Sequence, residues 1–399
     1  MQQKPKQVQS GIQPRTQPAS CLGQALGGLA LACYAMTAMA GEGYKLRQSP
    51  VGVFGGEMAA SLENPGFFGT AALSHTNIYK VVDGDGNNVS LPARNLPLPT
   101  GTLTRGAAPD GTYALTVPAA AIGFEQPQTQ INILAGYLTQ STYGDGHIAF
   151  AMNLPLIRQS RTFTATNPAG TISPTPNPAL PAALRGAISG VAAAANAQVQ
   201  AAVANTLASQ NADTSGMGDT ELSVVWIRQQ DSLKIAAGAS LFVPTGNYNK
   251  DRGPNPGFGN FYTLRPGVAV SYALNPNHGS EVWDSGVTIA GRLSFGMNST
   301  NKDTNYRSGN FIYAEAGIVK VMGNWAVGSN VLAINQVTDD SGTGAAVGGN
   351  RYKTYAAGPF ISYKLPGKEA GFNLHFSQSF GSSNALVSRT LQLRFIKAW

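Results

Sequence analysis

Phe372-Asn373-Leu374-His375-Phe376-Ser377-Gln378-Ser379-Phe380 sets large apolar side chains against polar ones almost residue by residue. Successive side chains of a strand point to opposite faces. One face therefore carries Phe372, Leu374, Phe376 and Phe380, and the other Asn373, His375, Ser377 and Ser379. After a Gly-Ser-Ser-Asn turn a second alternating run, Leu391, Leu393 and Phe395, closes on Trp399, with Gln392 and Arg394 on its opposite face. A lipid-facing hairpin of a membrane β-barrel needs this pattern, with an aromatic residue at the interface. A soluble sandwich with one buried face needs the same alternation, so the hairpin alone does not separate the two.

Composition favours the barrel. Charged residues make up 12% of the 399-residue chain, about half the usual soluble share. The region after residue 40 has no apolar run long enough for a spanning helix. Lys4, Lys6 and Arg15 lie in the first forty residues, which contain no acid; the remainder holds 27 − 3 = 24 bases against 20 acids. That excess of +4 is spread along the chain and forms no basic patch for nucleic acid.

Residues 1–40 have the layout of an export signal: a polar, basic lead, an apolar segment from Leu22 to Met39, and Ala38-Met39-Ala40 as a small-x-small cleavage site. Ala30-Leu31-Ala32-Cys33 also resembles a lipid-attachment box, although Ala30 stands where a larger aliphatic residue is expected. Cleavage after Ala40 would remove both cysteines, Cys21 and Cys33, and with them disulfide and thiol chemistry. Residues 41–65 show no strand period. Their small residues and Glu63-Asn64-Pro65-Gly66 turn resemble the plug of outer-membrane fatty acid and hydrocarbon transporters, which implies a segment inside the barrel.

Strands are expected at 67–82, 128–140, 147–158, 220–228, 233–243, 261–274, 287–297, 311–321, 325–337, 351–365, 372–380 and 387–399. The total of about twelve is even, as bacterial barrels require. A short hairpin is expected near 113–117. Tight joints at 229–232, 323–324 and 366–369 alternate with longer ones at 245–260, 298–310 and 338–350, the pattern of short periplasmic turns and long external loops. The joint at 275–284 breaks the alternation. Residues 159–216 read as an insertion into the barrel spanning 66–399. Within it, 180–209 is Ala-rich, with Leu180, Leu184, Ile188, Val191, Val199, Val203 and Leu207 at helical spacing. Such a helix could cap the barrel mouth or lie idle on a loop. The fold class is therefore all-β: an antiparallel transmembrane barrel with a plug-like N-terminal segment and a helical insertion.

A charge facing lipid at the midplane costs about 2–4 kcal/mol, so Lys234, Arg265, Arg292, Glu315 and Arg394 are expected to line the lumen beside Asn373 and His375. The basic excess among them suggests a modest preference for anionic or hydrogen-bond-accepting solutes, unless these charges pair with one another or with the plug. Strand 325–337 has no clean face. Asp83-Gly84-Asp85-Gly86-Asn87 imitates a calcium loop, but Asn88 replaces its Gly and Arg94 its Glu, so a polar turn is the better expectation. No metal site or cofactor is expected. Of four histidines only His375 sits on a clear inward face, and no acid on its strand completes a catalytic set with Ser377 or Ser379.

Several motifs in one order resemble the outer-membrane family associated with the meta-pathway of phenol degradation. They include Gly218-Asp219-Thr220-Glu221-Leu222, Leu241-Phe242-Val243-Pro244-Thr245-Gly246 with Tyr248, and Thr300-Asn301-Lys302-Asp303-Thr304-Asn305-Tyr306-Arg307-Ser308-Gly309. Asn324-Trp325, Gln336-Val337-Thr338-Asp339-Asp340-Ser341-Gly342, Gly358-Pro359, Ile361-Ser362-Tyr363 and the closing Phe395-Ile396-Lys397-Ala398-Trp399 continue the series. Phe311-Ile312-Tyr313-Ala314-Glu315 departs from the family's more polar strand start. The resemblance implies a non-enzymatic barrel of the Gram-negative outer membrane for passive uptake of small hydrophobic or aromatic solutes. Its expected partners are outer-membrane lipid, the barrel-assembly machinery and that solute. A structural or adhesive barrel acting through its loops is the alternative, and a membrane-lipid hydrolase a more distant one.

Overall fold

The computed structural model describes residues 46–47, 65–91, 93–98, 111–117, 119–165, 171–251, 253–274, 286–345 and 350–399. The export signal, most of the expected plug segment and the whole joint at 275–284 lie outside these residues. Contacts divide the chain into two compact units.

The larger unit is a closed antiparallel barrel. Its twelve strands are β1 (Gly66–Val82), β2 (Ala120–Leu138), β3 (His147–Ala165), β4 (Thr220–Gln230), β5 (Leu233–Val243), β6 (Thr263–Ala273), β7 (Val287–Asn298), β8 (Phe311–Met322), β9 (Trp325–Gln336), β10 (Lys353–Lys364), β11 (Ala370–Ser383) and β12 (Ala385–Ala398). Each pairs with its sequence neighbours, and β1 closes on β12 from Phe68↔Ala398 to Val82↔Ala385. The Trp399 N–H extends the seam by donating to the Phe67 carbonyl at 2.9 Å.

Turn chemistry fixes one end. Two-residue hairpins need positive φ, which Asp231 (50°) supplies between β4 and β5 and Gly323 (61°) between β8 and β9. Tyr143-Gly144-Asp145-Gly146 turns β2 into β3, with Tyr143 and Gly146 bridged. Longer loops leave the opposite end after β3, β5, β7 and β9. The exception at that end is the link from β11 to β12, made by Asn384 alone in a left-handed conformation.

Burial decides between barrel and sandwich. The apolar face of each strand stays exposed: Leu293 is 53% accessible, Leu393 47% and Val268 44%. The polar face is the buried one, with His375 at 0% and Arg394 at 1%. A sandwich in water would reverse this, whereas a barrel wall facing lipid requires it. Aromatic pairs Phe67–Tyr137, Trp325–Tyr363 and Phe372–Phe395 ring the short-turn end with centroids 4.6–5.0 Å apart. Such a girdle marks the membrane interface.

Three expected boundaries change. Strand β2 begins at Ala120 rather than 128, because Pro127, read as a break, falls where the ladder to β3 is already interrupted between Glu125 and Gln128. Strand β3 runs on to Ala165 and pairs there with a strand at Ala212–Met217. Residues 159–165 and 212–217 therefore belong to the sheet rather than to a helical insertion; they lack apolar alternation, and a ladder in water does not need it. The expected hairpin near 113–117 is instead the middle strand, Gly111–Val117, of a three-stranded sheet with Arg94–Leu98 and Thr171–Pro176. That sheet and most of helix α1 (Ala182–Ser209) form the smaller unit. Within α1, Ile188 and Ala192 are buried one turn apart.

Placing a charge on the wall tests the lipid-facing assignment. Leu293→Arg should lower the unfolding free energy in bilayers by about 2–4 kcal/mol, read by denaturant titration with heat-modifiable gel mobility. Lys320→Ala near the short-turn rim should change it by less than about 0.5 kcal/mol.

Candidate functional site

Because side chains alternate, one register fixes the whole interior. Arg292 stands opposite Glu315 on β7 and β8, and Asn373 opposite Arg394 on β11 and β12. Lys234 and Arg265 share the inward parity of β5 and β6. All seven residues expected to line the lumen point inward, and six are less than 9% exposed, while the Arg292 side chain is 14% exposed.

Most of them join a hydrogen-bonded belt. Arg265 Nη2 lies 2.7 Å from Glu221 Oε1, with its guanidinium 4.9 Å above the Phe242 ring. Arg292 Nη2 lies 3.5 Å from Glu315 Oε2 and its guanidinium 4.6 Å above the Tyr313 ring. The Tyr313 hydroxyl donates to Glu315 Oε2 at 3.1 Å, and Asn330 Nδ2 donates to Oε1 at 2.9 Å. Asn330 donates to Glu315 through Nδ2, so it presents its Oδ1 to His375 Nε2, 2.7 Å away. His375 must then carry its proton on Nε2 when neutral. Nδ1 is left as an acceptor, with no hydrogen-bond partner among the described residues.

The far side of the belt is neutral apart from Arg394. Arg394 Nη2 donates to Gln392 Oε1 at 2.7 Å, and Gln392 Nε2 donates to Ser74 Oγ at 2.9 Å across the seam. Asn373 donates to Ser362 at 2.9 Å, and Gln128, Gln130 and Asn132 form a ladder along β2. Lys234 lies one residue into β5 from the short turn.

On both sides of the belt apolar side chains join the polar ones at the inward positions. Towards the long-loop end Phe311, Tyr313, Leu332, Ile334, Tyr352 and Leu46 form one buried cluster. Towards the short-turn end lie Val319, Val321, Ala326 and Phe360 on one side, and Ala236, Ala269 and Ala290 on another. This mixture explains why β9 shows no clean face in the sequence: its inward row is Ala326, Gly328, Asn330, Leu332, Ile334 and Gln336.

Sequence reasoning missed Arg47, Asp219, Glu221 and Tyr313. Arg47 Nε and Nη2 reach Asp219 Oδ2 at 3.0 and 2.8 Å, and Nη1 donates to the Phe261 carbonyl at 2.6 Å and to Thr263 Oγ1 at 3.1 Å. The guanidinium stacks 3.9 Å from the centre of the Phe261 ring. Asp219 also accepts the backbone N–H groups of Gly246 and Phe258, at 3.0 and 2.9 Å, which holds the loop between β5 and β6. The inward parity of Glu221 on β4 was the available signal. These acids neutralise Arg47, Arg265 and Arg292, which weakens the argument for anionic solutes drawn from the basic residues.

The remaining motifs are structural. Asp340 accepts from the Tyr306 hydroxyl, from Gly309 N–H at 2.7 Å and from Gln336 Nε2 at 2.6 Å, locking two long loops together. Asp83 Oδ1 accepts the N–H groups of Asp85 and Asn87 at 3.0 and 2.9 Å, which makes a turn. Among the described residues no group of three His, Cys, Asp or Glu side chains could hold a metal.

Residues 109–395 match the family model described as "Putative MetA-pathway of phenol degradation". The chain belongs to this family. No curated protein matches its sequence. Among solved structures, an outer membrane channel from Pseudomonas putida F1 aligns over 88% of this chain and 100% of its own at 14% identity, with a TM-score of 0.57. That likeness fixes the fold as an outer-membrane barrel. The transport unit of the autotransporter AIDA-I from Escherichia coli (9% identity, 92% of this chain and 97% of its own, TM-score 0.42) is more distant. So is the CymD monoaromatic hydrocarbon channel (10%, 84% and 89%, TM-score 0.35). Neither carries weight beyond this.

The ion pairs make a quantitative prediction. Glu221→Gln strands Arg265 in the interior and should destabilise the barrel by about 3–5 kcal/mol, whereas replacing both residues by Leu and Met should cost much less. A double-mutant cycle on the refolded protein measures the difference.

Proposed function

We propose that this protein is an outer-membrane channel for the passive uptake of small hydrophobic or aromatic compounds. The observation that carries the reading is the make-up of the interior. A water-filled porin lines its lumen with polar residues. Here Phe311, Tyr313, Leu332, Ile334 and Phe360 face inward, above and below a belt in which Arg265 and Arg292 are paired with acids. A hydrated ion gains little from such an interior, while an apolar ring would be stabilised by burial against it. The family's name points to the same class of solute.

In this reading Leu46 and Arg47, from the stretch whose sequence resembles a plug, are anchored in the long-loop end of the barrel. Leu46 packs among the inward aromatic residues, and Arg47 bridges Asp219 and two backbone carbonyls. Release of that one guanidinium would free both Leu46–Arg47 and the loop between β5 and β6.

Uptake in a strain lacking its own hydrocarbon channels tests the proposal. Cells producing the protein should take up toluene faster than cells with empty vector, with sucrose uptake unchanged, and Arg47→Ala should raise toluene uptake further. Equal toluene uptake with and without a barrel shown to be folded in the outer membrane would sink it.

A further inference from the structure

The long-loop rim carries a second, polar site, lined by outward residues and also by Gln336 and Tyr352. At the ends of β9, β10 and β11, Asn335 pairs with Lys353 and Lys353 with Ser383, so the three form one row across neighbouring strands. Together with Asp339, Arg351 and Asn384 they line a pocket of about 430 Å³. Lys353 and Arg351 are both exposed.

Three observations say what would fill it. One is depth in the membrane. One step inward along β10, Tyr355 stacks on exposed Phe380, with ring centroids 6.1 Å apart. Aromatic side chains on the wall mark the boundary between hydrocarbon and headgroups, which puts the pocket just outside it, among the headgroups of the outer leaflet. Another is charge. Two cations face one acid: Arg351 Nε donates to Asp339 Oδ1 at 2.7 Å, and Lys353 Nζ sits 5.2 Å from the Tyr355 ring centre. The bond to Asp339 uses one N–H of a group with five, leaving the fork of the guanidinium to take an anion. The last is an acceptor. Asn335 Oδ1 is buried and has no partner among the described residues, although it lines the same pocket. A buried acceptor of this kind suits a hydroxyl group.

From these we infer that the pocket binds the phosphorylated sugar headgroup of an outer-leaflet glycolipid. Arg351 and Lys353 would take the phosphate, and Asn335 a sugar hydroxyl. The acyl chains would run down the wall over Tyr355 and Phe380. Basic pockets at the headgroup level bind lipid phosphates by this chemistry. The inference is independent of what passes through the lumen.

The test is native mass spectrometry of the full-length protein purified from outer membranes and titrated with bisphosphorylated lipid A. The wild type should retain lipid A, and retain dephosphorylated lipid A at least about tenfold less, as the loss of charge-assisted contacts requires. Arg351→Ala with Lys353→Ala should weaken retention by a similar factor, while Arg351→Lys with Lys353→Arg should preserve it. Lys397→Ala, on the opposite rim, should leave it unchanged. Heat-modifiable mobility verifies that each variant is folded, and the comparison of the two lipids by the wild type stands whether or not the double alanine variant folds. Equal retention of both lipids, equal retention of phosphatidylglycerol, or displacement of lipid A by an equal concentration of inorganic phosphate would each overturn the assignment.

Discussion

The structure depends on one constraint: a charge taken into the barrel is costly unless it is paired or hydrogen-bonded there. Moving an ion out of water costs several kcal/mol even after relaxation, and attraction repays it only with good geometry and further hydrogen bonds. The chain meets the constraint three times. Arg265 faces Glu221, Arg292 faces Glu315, and Arg47 faces Asp219. In each case an aromatic ring lies against the guanidinium, from Phe242, Tyr313 and Phe261 in turn. The ring supplies both a cation–π contact and the apolar packing that the flat face of arginine accepts. These pairs tie β4 to β6, β7 to β8, and the N-terminal segment to β4, so the charges double as cross-links between strands.

That arrangement leaves the rest of the interior free to be apolar. A barrel whose lumen charges were unpaired would have to hydrate them, and water at mid-height would make it a polar pore. Here Arg265 and Arg292 are paired with acids, and aliphatic and aromatic side chains share the inward positions above and below the belt. The long loops are equally tied down. Asp219 holds the β5–β6 loop, and Asp340 joins the loops that follow β7 and β9.

The strands were legible in the sequence because lipid demands a clean apolar face. Strand β5 appears with both of its boundaries at 233 and 243, and the inward parity of Lys234, Arg265, Arg292, Glu315, Asn373, His375 and Arg394 follows from the same alternation. Where the ladder leaves the bilayer that demand ends, and the start of β2 at Ala120, the extension of β3 and the strand at Ala212–Met217 were not seen. The belt was only half legible. Its members could be assigned to a face, but partners such as Arg265 and Glu221 are 44 residues apart, and Arg47 and Asp219 172. No local pattern joins them. Arg47 was hidden further by lying in a segment with no periodicity at all.

The seam between β1 and β12 bears on how the molecule comes into being. Ser74 and Gln392, hydrogen-bonded across it, are 318 residues apart in sequence. Each other neighbouring pair of strands can form as a local hairpin or a modest loop closure, but this pairing must wait until residue 398 has been delivered. Until then β1 and β11 present two unpaired edges, which are costly in hydrocarbon and prone to pair with other chains. Folding of the barrel is therefore gated by its least local contact, the kind that forms slowest. A single late event converts an open sheet into a wall with no edges.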